Sequence, residues 1–245
     1  AIDGDAGIDL ALDDPACPVN ARFLGHFKGW QRLGNPSFTW EQMNAGFRWY
    51  MPLERTYPRD IKTFQTLGVG GTMLPIAPPD GVYGPVYDNT TVPDQWRNAW
   101  QTIYLTAQLL WDADRDLDPM LEEANALFYG PAWNNGMRAF RDRLMKASAE
   151  TPGCFGYLND TPIGRCLDQP GVHDELLGHL ARAEAAAAGD PRALAHVRKD
   201  RELFGRTWEA ERKKYLEHYS ELTAYEQTAP ITLDGVFDEP DWEGA

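Results

Sequence analysis

The sequence predicts an α/β unit followed by an all-α region, helix-rich overall. Two observations carry the prediction. Up to about residue 116, helix-like and strand-like stretches alternate in the order helix, strand, loop, helix, strand, loop, helix. That order is the βα alternation of a parallel sheet. Beyond residue 116, every apolar pattern recurs at spacings of three and four, as helices require.

The elements follow in order. Residues 20–32 place Phe23, Phe27 and Trp30 at helical spacing, with Asn20 as N-cap. Gly34, Asn35 and Pro36 break that helix, and SFTWEQ reads as a strand with Phe38 and Trp40 two apart. In PRDIKTFQTLGV, Ile61, Phe64 and Leu67 give a second helix, with Pro58 near its first position and Gly68 as its stop. GGTMLPIA is a second strand. A long helix over residues 95–111 then carries Trp96, Trp100, Ile103, Tyr104, Ala107 and Leu110 on one stripe. Four further helical runs cover residues 119–130, 133–150, 172–189 and 191–225. Opposite charges one turn apart on the last run, such as Glu209 with Lys213, mark a solvated face. The expected organisation is an α/β part over residues 1–116, a helical region over 117–228 and a tail over 229–245.

Charge excludes some function classes. The 245 residues hold 37 acids and 23 bases, a formal net charge of −14, which repels nucleic acid and anionic membranes. No apolar run reaches the roughly 18 residues of a membrane span. The first ten residues have neither the basic start nor the apolar centre of a signal peptide. Cys154 and Cys166 bracket a loop rich in Gly, Pro and Asn, where a disulfide is expected only in an oxidising compartment.

Asp112, Asp114, Asp116, Asp118 and Glu123 fall at calcium-loop spacing, but Leu117 stands where that loop needs glycine. The favoured reading is a helix start, with Asp118 as cap and Pro119 after it. HDELLGH, residues 173–179, resembles a zinc helix in outline, yet its histidines are six apart rather than four. Neither metal nor cofactor is expected. Gly68, Gly70 and Gly71 precede a strand, which is the wrong context for phosphate.

What remains is SFTWEQMNAGFRWYMP, residues 37–52. Glycosidases need carboxylates flanking the scissile bond and aromatic faces that hold the ring. Glu41 at a strand end supplies one carboxylate, and Trp40, Trp49 and Tyr50 supply the faces. Glu54 and Arg55 are candidates for contacting hydroxyls or a uronic carboxylate. Core packing explains the aromatics at least as well.

The succession NARFLGHFKGWQRL, a strand with Trp-acid, YPRDIKTFQTLGVGGTM and YLTAQLLWDADRDLDPMLEEANALFYGPA resembles the glycoside-hydrolase-like family called domain of unknown function 4838. LLWD, D-x-x-L and FYGPA are its most specific elements, and the resemblance spans roughly residues 12–145. It implies the C-terminal portion of a TIM-like (β/α) barrel, about strands six to eight, followed by a helical region. It further implies glycoside hydrolysis by paired carboxylates on a poly- or oligosaccharide, with Glu41 as an active-site carboxylate. The second carboxylate is then expected outside these residues. The family usually carries Trp-Asp-Tyr where this chain has Trp40-Glu41-Gln42. Residues 229–245 resemble the opening of a family 9-like carbohydrate-binding β-sandwich. A secreted or surface location, a carbohydrate partner and a homodimer complete these expectations. A non-catalytic carbohydrate-binding or scaffold protein with a Trp-lined cleft is the alternative.

Overall fold

The computed structural model describes residues 11–15, 17–34, 36–40, 52–73, 95–151 and 161–219. Within them the protein is helix-rich, with one two-stranded parallel sheet. The expected alternation is present as α1 (Pro18–Gln31), β1 (Phe38–Trp40), α2 (Thr56–Thr66), β2 (Gly71–Met73) and α3 (Gln95–Trp111). The all-α region follows as α4 (Leu117–Tyr129), α5 (Arg138–Glu150), α6 (Thr161–Asp168), α7 (Val172–Ala186), α8 (Pro191–Phe204) and α9 (Ala210–Tyr219).

Helix starts differ from expectation. At α1 the cap is Cys17, whose thiol accepts from Asn20 N at 3.4 Å, with Pro18 as first residue. At α4 the cap is Asp116, which accepts from Asp118 N at 3.2 Å, so Asp118 and Pro119 lie inside the helix. Pro58 likewise sits third in α2. The first turn of a helix has N–H groups without intrahelical partners, so proline there removes no bond.

β1 and β2 pair in parallel, with Phe38 opposite Gly71 and Trp40 opposite Met73, and α2 is the crossover between them. The end of α2 sets that geometry. Gly68 N donates to Gln65 O at 2.9 Å and Val69 N to Phe64 O at 3.0 Å, a Schellman pair that needs the positive φ of +70° at Gly68. Gly70 N then donates to Ser37 O at 2.8 Å and brings the strands into register. Phe38, Trp40 and Met73 share one face of this sheet, and all three are exposed.

One hydrophobic core runs from the sheet's crossover helix into the all-α region. Ile61 and Phe64 of α2, Leu105 and Leu109 of α3, Leu144 of α5, Leu176 and Leu180 of α7 and Trp208 belong to the same buried cluster. The helices are interrupted at Trp133–Met137, where Asn135 and Gly136 leave helical backbone angles and kink the chain, and by a π-helical turn at Gly205–Glu209. In the first, Gly136 has φ +144°, and a Cβ there would stand 2.3 Å from His179 O of α7. Glycine is what lets α7 close on this turn. Gly136→Ala is therefore expected to cost about 3 kcal/mol or more through overpacking and backbone strain, read as a lowered urea midpoint. A change below about 1 kcal/mol would mean that α7 does not sit this close.

Candidate functional site

Trp40 closes β1 at its carboxyl end and is 63 % exposed. Glu41, Trp49 and Tyr50 lie outside the described residues, as does Cys154. Cys166 is buried on α6, with its Sγ 4.0 Å from Ser148 Oγ. The tail over residues 229–245 is also outside them.

Glu54 and Arg55 are described, and each meets the helical region. Arg55 is on the surface, its Nη1 2.6 Å from Asp118 Oδ1. Glu54 is 3 % exposed and faces Arg141 of α5, Oε1 to Nη1 at 3.4 Å. From Arg141 a chain of polar contacts crosses the interior. Its Nη2 donates to the Tyr129 hydroxyl at 2.5 Å, and that hydroxyl donates in turn to Asp200 Oδ2. Arg97 Nε donates to the other Asp200 oxygen at 2.9 Å, and Arg97 Nη2 to His196 O at 2.7 Å. His196 Nδ1 donates to Phe128 O at 2.6 Å, which fixes the proton on that nitrogen. The Phe128 ring stacks between Trp100 and His196, with the Arg97 guanidinium 4.5 Å from its centre.

Five elements or their flanks thus contribute: the turn before α2 (Glu54), α3 (Arg97), α4 (Tyr129), α5 (Arg141) and α8 (Asp200). Two arginines meet two carboxylates, so the group is neutral as a set, as burial demands. No spacing in the sequence pairs Glu54 with Arg141, 87 positions on, or Tyr129 with Asp200, 71 positions on. Sequence reasoning missed Arg97, Tyr129, Arg141 and Asp200 for that reason.

Against this network lies a cavity of about 20 Å³, lined by Arg97, Arg141 and Asp200 together with Phe140, Phe204 and Trp208. It has room for about one water molecule and none for a sugar ring. A larger groove of about 220 Å³ opens between α2, β2 and the end of α3, beside Gln65, Thr72 and Trp111. It flanks the amino end of β2, away from the strand end that carries Trp40. Among the described residues no group of three His, Cys, Asp or Glu side chains could hold a metal ion. His173 instead bonds Glu209 at 2.8 Å, so Glu209 serves this contact rather than a charge pair along its own helix. His179 meets Arg182 at 2.6 Å; partial burial, then the Arg182 charge, lowers its pKa.

No family model, curated protein or solved structure matches this chain. Among the described residues, no helix is long and apolar enough to cross a membrane.

Burial, reinforced by the Asp200 carboxylate and opposed by the Arg141 charge, pushes the Tyr129 phenol above its ordinary range. It stays protonated and serves as the donor to Asp200. A folded-state pKa raised above the unfolded value of about 10 stabilises the fold fully below that pH, and the contribution fades as pH rises past it. Removing the phenol should make the alkaline loss of stability about 1.4 kcal/mol per pH unit shallower above pH ~10. Urea midpoints of wild type and Tyr129→Phe between neutral and alkaline pH test this. Parallel alkaline limbs in the two proteins would contradict it.

Proposed function

We propose that this chain is part of a carbohydrate-active protein, a glycoside hydrolase whose β1–α2–β2–α3 portion belongs to a TIM-like (β/α) barrel. The observation that carries the reading is the parallel βαβ unit whose first strand closes on an exposed Trp40, immediately before Glu41 in the sequence. In parallel α/β folds, ligands meet the carboxyl ends of strands, and an exposed indole suits the apolar face of a sugar ring. The resemblance in LLWD and FYGPA adds the expectation of an acid after that tryptophan.

Glu41 is the strand-end carboxylate in this account, and hydrolysis needs a second carboxylate about 5 to 10 Å away. Glu54 is an unsuitable partner, because it is buried against Arg141. The second carboxylate belongs elsewhere in the assembled cleft, and a secreted or surface location suits such a protein. The same engagement of Glu54 favours one other reading, a binding protein that keeps the aromatic platform without a working acid pair.

The test is turnover of aryl glycosides and aryl uronides by the longest available form of the protein, alongside its Glu41→Gln variant. The hydrolase reading expects a rate loss of at least about a thousandfold in the variant with oligosaccharide binding retained. Binding that falls with Trp40→Ala, with no turnover in either protein, would replace it by the binding reading. Neither turnover nor binding would remove both.

A further inference from the structure

The net charge of −14 opposes self-association, yet it is unevenly spread. Helix α1 and the two residues after it hold three bases, Arg22, Lys28 and Arg32, and no acid. All three are exposed, and none makes an ion pair among the described residues. The same helix carries an uncovered aromatic ridge. Phe23, Phe27 and Trp30 recur at spacings of four and three, and the first two rings stack on each other. No residue of α1 is buried, and Trp30 is 69 % exposed. An aromatic ridge among unpaired bases suits an apolar surface rimmed by acids.

The groove between α2, β2 and α3 is such a surface. Phe64, Val69, Leu109 and Leu110 line it together with Trp111, and no charged side chain does so among the described residues. Trp111 is 93 % exposed, so most of its indole has no cover. Ala113 also lines the groove and is flanked in sequence by Asp112 and Asp114, with Asp116 two residues further on. These aspartates are exposed, and none makes an ion pair among the described residues. They follow the carboxyl end of α3, where the helix dipole adds to their negative potential.

Ridge and groove adjoin. Gln31, next to Trp30, donates through Nε2 to Leu67 O at the end of α2, and Gln65 and Val69 of that same end line the groove. A chain that carries both halves of one contact can satisfy them twice about a single two-fold axis. We propose that two copies of this chain pair in this way, α1 of each lying on the groove of the other. Trp30 enters the groove beside Trp111, while Arg22, Lys28 and Arg32 meet Asp112, Asp114 and Asp116. The aromatic anchor supplies most of the affinity, and the charges at the rim select the partner surface. Neither contact uses Trp40 or Glu41, so the pairing does not depend on the carbohydrate reading.

Sedimentation equilibrium of the full chain tests it. Wild type should dimerise, more weakly as salt rises, and Trp30→Ala should raise the dimer dissociation constant at least tenfold. Two charge-reversed variants sharpen the test: Arg22→Glu/Lys28→Glu/Arg32→Glu on the ridge, and Asp112→Lys/Asp114→Lys on the groove, which spares the cap Asp116. Each alone should be monomeric, because like charges then face each other in both contacts. Mixed in equal amounts they should form a heterodimer, since both contacts are then complementary again. A dimer that survives either reversal, or folded variants that stay monomeric when mixed, overturns the proposal. So does a monomeric wild type, and its binding to phosphatidylglycerol vesicles, lost with Trp30→Ala, would assign the ridge to a membrane surface instead.

Discussion

Arg141 imposes the constraint on which the rest of the described structure depends. Its guanidinium lies almost wholly out of water, between Glu54 and the Tyr129–Asp200 pair. A buried cation is tolerated only where opposite charge and acceptors surround it. Those partners come from distant parts of the chain, so α4, α5, α8 and the turn before α2 must assemble around it together. Arg97 extends the same logic to α3, using one oxygen of Asp200 while Tyr129 uses the other. The βαβ unit is thereby joined to the helical region through charge as well as through the shared core that runs from Ile61 to Trp208.

The tie bears on the candidate site. Residues 52–54 form the buried root from which the chain passes into α2, and Glu54 is its charged anchor. The segment bearing Glu41, Trp49 and Tyr50 lies between β1 and this root in the sequence. In the proposed hydrolase, the all-α region would thus act as the support of one side of the cleft. Arg55 contributes little to this, because its pairing with Asp118 is exposed and screened.

Much of the fold was legible in the sequence because local physics decides it. α3 has the expected extent, but its buried face is Thr102, Leu105, Thr106 and Leu109. Tyr104, Ala107 and Leu110 of the expected stripe are exposed, because α3 packs through a face that apolar spacing alone does not single out. Gly68 ends α2 where a positive φ is required. The starts of α2 and α4 differ from expectation for one reason. Proline was read as a first-position signal, whereas Pro58 and Pro119 stand third, where the missing N–H is equally harmless. The kink at Trp133–Met137 and the π turn at Gly205–Glu209 carry no local signal, since the first accommodates the approach of α7 to Gly136. The site was less legible still. Glu54 reads in the sequence as a candidate contact to sugar hydroxyls, but its partner Arg141 is brought to it by tertiary packing alone. Phe38 and Trp40 fall on one strand as expected, because period-two spacing is a local property.

The claim that charge joins the two parts is tested most directly by a double-mutant cycle. Urea unfolding of wild type, Glu54→Gln, Arg141→Met and the double variant gives the coupling between the two side chains. A coupling of about 2 kcal/mol or more, with the double variant more stable than Arg141→Met alone, is the predicted result. Additive losses, with coupling below about 0.5 kcal/mol, would show that Glu54 and Arg141 do not hold the two parts together.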